Sequence, residues 1–446
     1  MNNITRTLPV IFLAFSLLTG NIKAAGPENQ SLSDTGLNDS LSLSVIISEI
    51  VKNHPTVKEA EEALTNADAR IGLAKTGYYP VVDASAGFSN IGPVLKFTIP
   101  QLGTVQLYPE NNYSGSVNYR QVIYDFGRTR QNVGIETENK ALGAQALEQI
   151  KQKMSLAAVN SFYTIAYLQK AVRIKDEQLA ALEEHLKYIK TMKATGSATD
   201  YQILSTEVRI SATQSQKVDL LSSLSVQQAY IGSLLGREDF NAAVREELDV
   251  ELPDINQDSL QQYALQHRDE MIISRERTSL AGLRFELIRT ANRPMISMSV
   301  SGGAKNGYQP DLNTLKANYS AGIGISIPIF DGMKTKYNLL QAKSAISNSE
   351  YETENTRRAI NSEIREAQSY LGSARQKVSQ STLQLDQAMK AYALAETSFR
   401  AGTITNLELL DANTAVSESR LMLLKARIDY AASIYRLKAA LGERLY

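Results

Sequence analysis

The sequence predicts a mostly α-helical protein with a small β part, built from one unit used twice: a helix, a β-hairpin, a long helix and a returning helix. Three observations lead there. An internal repeat runs through the chain, four segments alternate between apolar and polar residues, and two stretches of about seventy residues contain no proline.

The first residues read as an address. Arg6 precedes the apolar run Leu8 to Leu18, and Ile22-Lys23-Ala24 supplies a small residue for cleavage, so residues 1–24 are expected to be a signal peptide and the mature chain to be exported. That run is too short to span a bilayer, and no later stretch approaches the roughly 20 apolar residues a spanning helix needs. With no Cys, the chain is expected to carry neither disulfides nor a thioether-linked lipid, so membrane attachment falls to β-strands or to a partner. Lys plus Arg and Asp plus Glu both number 47, which removes any electrostatic reason to expect nucleic acid.

The repeat sets the boundaries. Asn112-Tyr113-Ser114 recurs as Asn318-Tyr319-Ser320, Asp125 as Asp331, Gly196 as Gly402, and Leu235-Gly236 as Leu441-Gly442, all at an offset of about 206. Upstream, Pro80 pairs with Pro294 at about 214, so the first copy holds about eight extra residues in the loop between Pro80 and Asn112. The first copy is placed at 41–236, with a β-hairpin at 79–123, a long helix at 125–195 and a return helix at 199–235. The second is placed at 259–442, with a hairpin at 294–328, a long helix at 331–401 and a return helix at 405–441. Between them, residues 237–258 carry Glu246, Glu247, Asp249, Glu251 and Asp254 around Pro253, a composition that reads as a connector rather than a core element.

Within the first hairpin Val82, Ala84, Ala86 and Phe88 alternate with Asp83, Ser85, Gly87 and Ser89, and Tyr113, Gly115, Val117 and Tyr119 alternate with Ser114, Ser116, Asn118 and Arg120. The second hairpin repeats the pattern, most cleanly in Tyr319, Ala321, Ile323, Ile325 and Ile327 against Ser320, Gly322, Gly324 and Ser326. Strands of about ten residues with one greasy and one polar face suit a membrane barrel, and equally a half-buried soluble hairpin. The helices bear on that choice: about seventy residues at 1.5 Å each reach roughly 100 Å, longer than a globular domain requires. Their apolar positions, such as Leu385, Ala388, Tyr392, Ala395 and Phe399, follow coiled-coil spacing and need partner helices. Gly196 and Gly402 mark the reversals, with Thr199 and either Thr403 or Thr405 placed to cap the returning helices. Four strands cannot enclose a lumen, so the strands are expected to be pooled between copies, and three copies leave room for an aqueous pore where two do not.

Several short motifs then fall in a characteristic order: Leu41-Ser42-Leu43 with Asn53-His54-Pro55, Tyr79-Pro80, Tyr124-Asp125-Phe126-Gly127, Ile329-Phe330-Asp331-Gly332, and Gly402-Thr403 followed by Leu409-Leu410-Asp411-Ala412. Over essentially the whole mature chain the sequence resembles the TolC-like outer-membrane efflux proteins. The resemblance implies a homotrimer with a twelve-stranded transmembrane barrel in outer-membrane lipid and a coiled-coil periplasmic tunnel. It implies an exit duct working with a periplasmic adaptor and, through it, an inner-membrane transporter of the RND, ABC or MFS type. It implies no cofactor, no metal and no catalysis. The same duct could serve a type I apparatus exporting a polypeptide, and a fibrous coiled-coil envelope protein without a pore is the reading from another class.

The resemblance also assigns residues. Glu408 and Asp411, at i, i+3 on one helical face, match an acidic ring at the periplasmic gate, where mutual repulsion raises carboxylate pKa values and cations are attracted. The family's latch of a Tyr, an Arg and an acidic partner is replaced by Phe399, Ile404 and Gln202, which points to closure by packing. The turns Thr195-Gly196-Ser197 and Ala401-Gly402-Thr403 match the adaptor-docking tips. Scattered His54, His185 and His267, without metal-ligand spacing, and a Gly322-Ile323-Gly324 inside a strand argue against an enzyme.

Overall fold

The structure is a computed structural model and describes residues 41–446 except 101, 102, 239, 242, 246, 247, 251 and 253–258. The expected signal peptide and most acidic residues of the connector therefore lie outside the described residues. In chain order come α1 (Leu43–Asn53), α2 (Pro55–Lys75), β1 (Val81–Asn90), β2 (Lys96–Ile99), β3 (Gly103–Gln106), β4 (Asn111–Tyr124), α3 (Arg128–Ala194) and α4 (Asp200–Leu235). There follow α5 (Leu260–His267), α6 (Asp269–Arg289), β5 (Met295–Lys305), β6 (Lys316–Ser326), α7 (Lys334–Arg400) and α8 (Asn406–Leu441). Both long helices have 67 residues and both return helices 36, so the two helical hairpins agree to the residue.

Two features differ from the sequence expectation. Each copy opens with two helices, because the backbone at His54 (ψ 131°) and at Arg268 (ψ 128°) is extended. Pro55 forces this at the first break, since the residue before proline is excluded from helix, and the His54 ring caps the new helix by accepting from Thr56 N–H at 3.2 Å. The loop between β1 and β4 also holds a hairpin of its own, β2 paired antiparallel with β3.

The main sheet runs β1-β4-β5-β6, antiparallel throughout. One irregularity, between Val122 and Tyr124, lies where β4 approaches its helix. No helix among the described residues is long and apolar enough to cross a membrane.

Helix packing supplies two large apolar clusters. In the first, Ile46, Ile47 and Ile50 of α1 meet Phe162, Tyr163 and Ile165 of α3 and Ile231 of α4. In the second, Leu260 and Ala264 of α5 meet Ile360 and Ile364 of α7 and Leu437 and Leu441 of α8. The short leading helix of each copy thus fills the space above its own helix pair, burying apolar area that the thin seams of Ala and Ser cannot. Phe240 and Val244 join the first cluster, and Leu41 pairs with Val244 as a β-bridge. Part of the connector is therefore packed, a correction to its reading from composition as no core element: Phe240 and Val244 are core residues set among polar neighbours.

Candidate functional site: a two-faced sheet and a double helical tip

Register places every alternating residue. Val82 lies opposite Tyr119 and Tyr119 opposite Val300; Val300 faces Ala321, Met298 faces Ile323 and Ile296 faces Ile325. Residues directly opposite share a face, so the apolar sets of all four strands merge into one surface. That surface is bare in the single chain, Tyr319 being 89% and Ile323 73% exposed. The other face is polar and internally bonded: Asn118 donates to Asp83 at 2.9 Å, Arg120 pairs with Asp83 at 2.8 Å, Ser301 donates to Asn118 at 2.9 Å, and the Ser85 and Ser116 hydroxyls lie 3.0 Å apart. Strands of ten to fourteen residues, tilted about 45°, rise roughly 23–33 Å, a range that includes the roughly 25 Å height of a membrane barrel's apolar band.

Strand hands over to helix by the same device in both copies. Phe126 and Gly127, and likewise Gly332 and Met333, take left-handed φ in succession, reversing the chain, and an aspartate before each pair caps the helix. Asp125 accepts from Gly127 N–H at 3.0 Å and Thr129 N–H at 2.6 Å; Asp331 accepts from Thr335 N–H at 2.8 Å. Arg128 reaches the carbonyls of Thr290 and Ala291, and Arg293 that of Phe126, so the two copies are cross-tied at this level.

At the far end each long helix ends in the same hydrogen-bonded turn. Gly196 (φ 78°) and Gly402 (φ 74°) are left-handed; Ser197 N–H donates to Met192 O at 2.8 Å and Thr403 N–H to Ser398 O at 3.0 Å. Thr195, Gly196, Ser197, Ala401, Gly402 and Thr403 all lie exposed at the tip. The returning helices begin with matched capping boxes, Thr199 with Gln202 and Thr405 with Glu408.

The residues expected at the gate all have partners within one chain. Gln202 caps α4: its side-chain oxygen accepts from Thr199 N–H at 2.9 Å. Phe399 and Ile404 pack inside one chain, with Ile189, Leu409 and Ile203. Glu408 accepts from Thr405 N–H at 2.7 Å and from the Thr405 hydroxyl at 2.9 Å, and within the single chain these bonds hold its carboxyl below the ordinary value. Asp411 is ion-paired with Arg209 of α4 at 2.6 Å.

A lowered carboxylate pKa adds stability above the ordinary value of 4.5 and loses it as pH falls through the folded-state value. Acidification below pH 4.5 is therefore expected to loosen the start of α8 and not that of α4, whose box uses an amide. Glu408→Gln is expected to abolish the difference; amide exchange at Thr405 and Glu408 against pH reads it directly.

Sequence reasoning missed His185, Thr206, Arg209 and Asn406, which gather at the tip from three helices. Only His185 had drawn notice, and nothing in local spacing links residues some two hundred positions apart. The described residues contain no group of three His, Cys, Asp or Glu able to hold a metal.

A four-stranded sheet greasy on one face and polar on the other, carried on roughly 100 Å helical hairpins, defines the class of outer-membrane channel with a helical tunnel. The chain belongs to the outer membrane efflux protein family, whose model matches residues 46–237 and 260–443. That family comprises outer-membrane channel proteins, not enzymes. Among relatives, the outer membrane efflux protein BepC of Brucella suis biovar 1 is 22% identical over 401 residues, 88% of this chain and 83% of BepC. The alkaline protease secretion protein AprF of Pseudomonas aeruginosa is 24% identical over 342 residues, 74% of this chain and 70% of AprF. A solved structure of CusC superposes with a TM-score of 0.80 at 19% identity, covering 93% of this chain and 96% of CusC, a likeness of fold.

Proposed function

We propose that three copies of the chain close into a ring, their twelve strands forming a barrel in the outer membrane and their helices a tunnel beneath it. One observation carries the reading: the sheet is two-faced across all four strands, yet β1 and β6 stand at its edges. Lipid does not tolerate open edges, and pairing β6 of one copy with β1 of the next removes all of them. The helices support the same closure. Packing runs α4 on α3, α3 on α8 and α8 on α7, leaving α4 and α7 at the two sides of the wall. Both carry exposed apolar residues, Tyr201, Leu204, Val208 and Val218 on α4 and Tyr351, Leu383 and Leu394 on α7.

In this assembly Glu408 and Asp411 ring the periplasmic constriction, and the tips at 195–197 and 401–403 receive a periplasmic adaptor that couples the duct to an inner-membrane transporter. The cargo class is small molecules or drugs. A polypeptide cargo is the second reading, favoured by the similarity to AprF, named for alkaline protease secretion. An ABC transporter gene beside this one, together with a secreted substrate, would select it.

Gln202 already makes in α4 the box that Glu408 makes in α8, so Glu408→Gln removes charge while keeping the cap. In planar bilayers the wild-type protein is expected to conduct with cation preference, and Glu408→Gln with Asp411→Asn to lower the cation-to-anion permeability ratio severalfold. A protein that never conducts would overturn the channel. Conduction with unchanged preference would overturn the ring alone.

A further inference from the structure

We propose that the hollow between the end of β6 and the start of α7 is a site for an anionic phospholipid of the periplasmic leaflet, its acyl chain in the hollow and its phosphate held by Lys336 and Lys343. It rests on the membrane reading above and names a ligand for it. The hollow measures about 710 Å3 and is walled by Phe285 of α6, by Ile329 and Phe330 of the β6–α7 link, and by Met333, Tyr337 and Leu340 of α7. Ile329 is 95% and Phe330 78% exposed. The acid on the lining, Asp331, is engaged elsewhere: it accepts from Thr335 N–H at 2.8 Å and caps α7.

Its place in the fold selects a lipid. Ile329 prolongs the spacing of Ile323, Ile325 and Ile327, so the hollow begins where the apolar face of the sheet ends. A free phosphate has no use for these carbons. Lys336 and Lys343 line the same hollow, seven residues apart on one face of α7 with Leu340 between them. Both are exposed, and neither meets a carboxylate within ion-pair distance among the described residues. Two ammonium groups at the rim of an apolar hollow complement a phosphodiester at the water boundary. The surroundings share the charge: residues 69–80, 125–135, 283–294 and 331–341 hold nine Lys and Arg against three Asp and Glu, in a chain whose formal charge is zero. Of those three acids, Asp125 and Asp331 are bound in helix caps and Glu286 pairs with Arg289.

A neighbouring copy does not fill the hollow. The first half of the repeat displays what α7 meets when a ring closes, because α3 already has its neighbour, α6, at this level. Gly134, the counterpart of Leu340, faces Leu283 there. Ile123 and Tyr124, counterparts of Ile329 and Phe330, nevertheless stay 52% and 55% exposed, and Arg130, counterpart of Lys336, is exposed as well. Ring closure thus covers Leu340 and leaves the link residues and the lysine open.

The test exploits a chain without tryptophan. Phe330→Trp and, as a control on the apolar face, Ile323→Trp are purified and reconstituted in phosphatidylcholine vesicles carrying brominated phosphatidylglycerol, or brominated phosphatidylcholine at the same fraction. At residue 330 the glycerol lipid is expected to quench fluorescence at least about threefold more strongly than the choline lipid, because basic side chains at a membrane surface gather anionic lipid. At residue 323 the two are expected to quench alike. Lys336→Gln with Lys343→Gln, added to Phe330→Trp, is expected to bring the ratio to one while quenching by the choline lipid persists. Equal quenching of residue 330 by both lipids, a preference that survives in the double lysine variant, or quenching at 323 alone, which means that the next copy covers the hollow, would overturn the site and leave the membrane reading standing. Absence of quenching at both positions would overturn both.

Discussion

Ile323→Arg is expected to abolish assembly in the membrane, whereas Gly322→Lys, one residue away, is expected to be tolerated. Ile323 lies mid-strand on the apolar face of β6, opposite Met298 and two residues from Ile325. An arginine facing lipid at mid-depth costs about 2–4 kcal/mol, and three copies in one ring bring about 6–12 kcal/mol against insertion. Gly322 points to the polar face beside Ser320 and Gly324, where a side chain meets open space and water. Heat-modifiable gel mobility and recovery in the outer-membrane fraction read both variants. Equal behaviour of the two would show that the apolar face does not meet lipid.

The second large effect is expected at Arg268, where α5, α6, α7 and the end of α8 meet within the second copy. Its guanidinium, nine-tenths buried, pairs with Glu270 and Glu363 at 2.8 Å each and donates to the Ala440 carbonyl at 3.1 Å at the end of α8. Burial opposes its charge, but the two carboxylates outweigh burial and raise its pKa. Next to it, Asp269 accepts both arms of Arg444 at 2.6 and 2.8 Å. α8 can approach this junction because residue 442 is glycine: it is left-handed at φ 84°, and a Cβ there would lie 2.9 Å from the His267 backbone. Arg268→Ala leaves two carboxylates and a carbonyl without their donor. A loss of about 3 kcal/mol is expected, the low end for breaking a buried pair because Glu363 remains half exposed to water. Arg268→Lys is expected to recover only part, since an ammonium cannot span both carboxylates and the carbonyl. The temperature at which the assembly dissociates on a gel checks both, and an unchanged temperature for Arg268→Ala would remove the junction from the account of stability.

Much of this architecture was legible in residue order because its causes are local. Alternation in Tyr119, Val117 and Gly115 is a statement about pleat, and Gly196 with Thr199, or Gly402 with Thr405, is a statement about turning and capping. Local patterning was a poorer guide where a residue serves two purposes. Glu408 fits a charged ring by its position, yet its carboxylate is engaged in the cap three residues back. Phe399 fits a gate by its distance from the turn, yet it is buried against Ile189 in its own chain.

By itself the sequence determined the duplicated plan, the two faces of the sheet, the length of the helices and the places where they reverse, since each depends on residues within a few turns of one another. Only the tertiary structure decided what meets at the tip and around Arg268 in the second copy: Asn406 with His185 and Thr206, Asp411 with Arg209, and Arg268 with Glu363 and the end of α8. The physical reason is that helices of about 100 Å touch along their whole length. Which polar side chains pair therefore depends on relative rotation and axial shift, quantities set by packing over many turns and carried by no single motif.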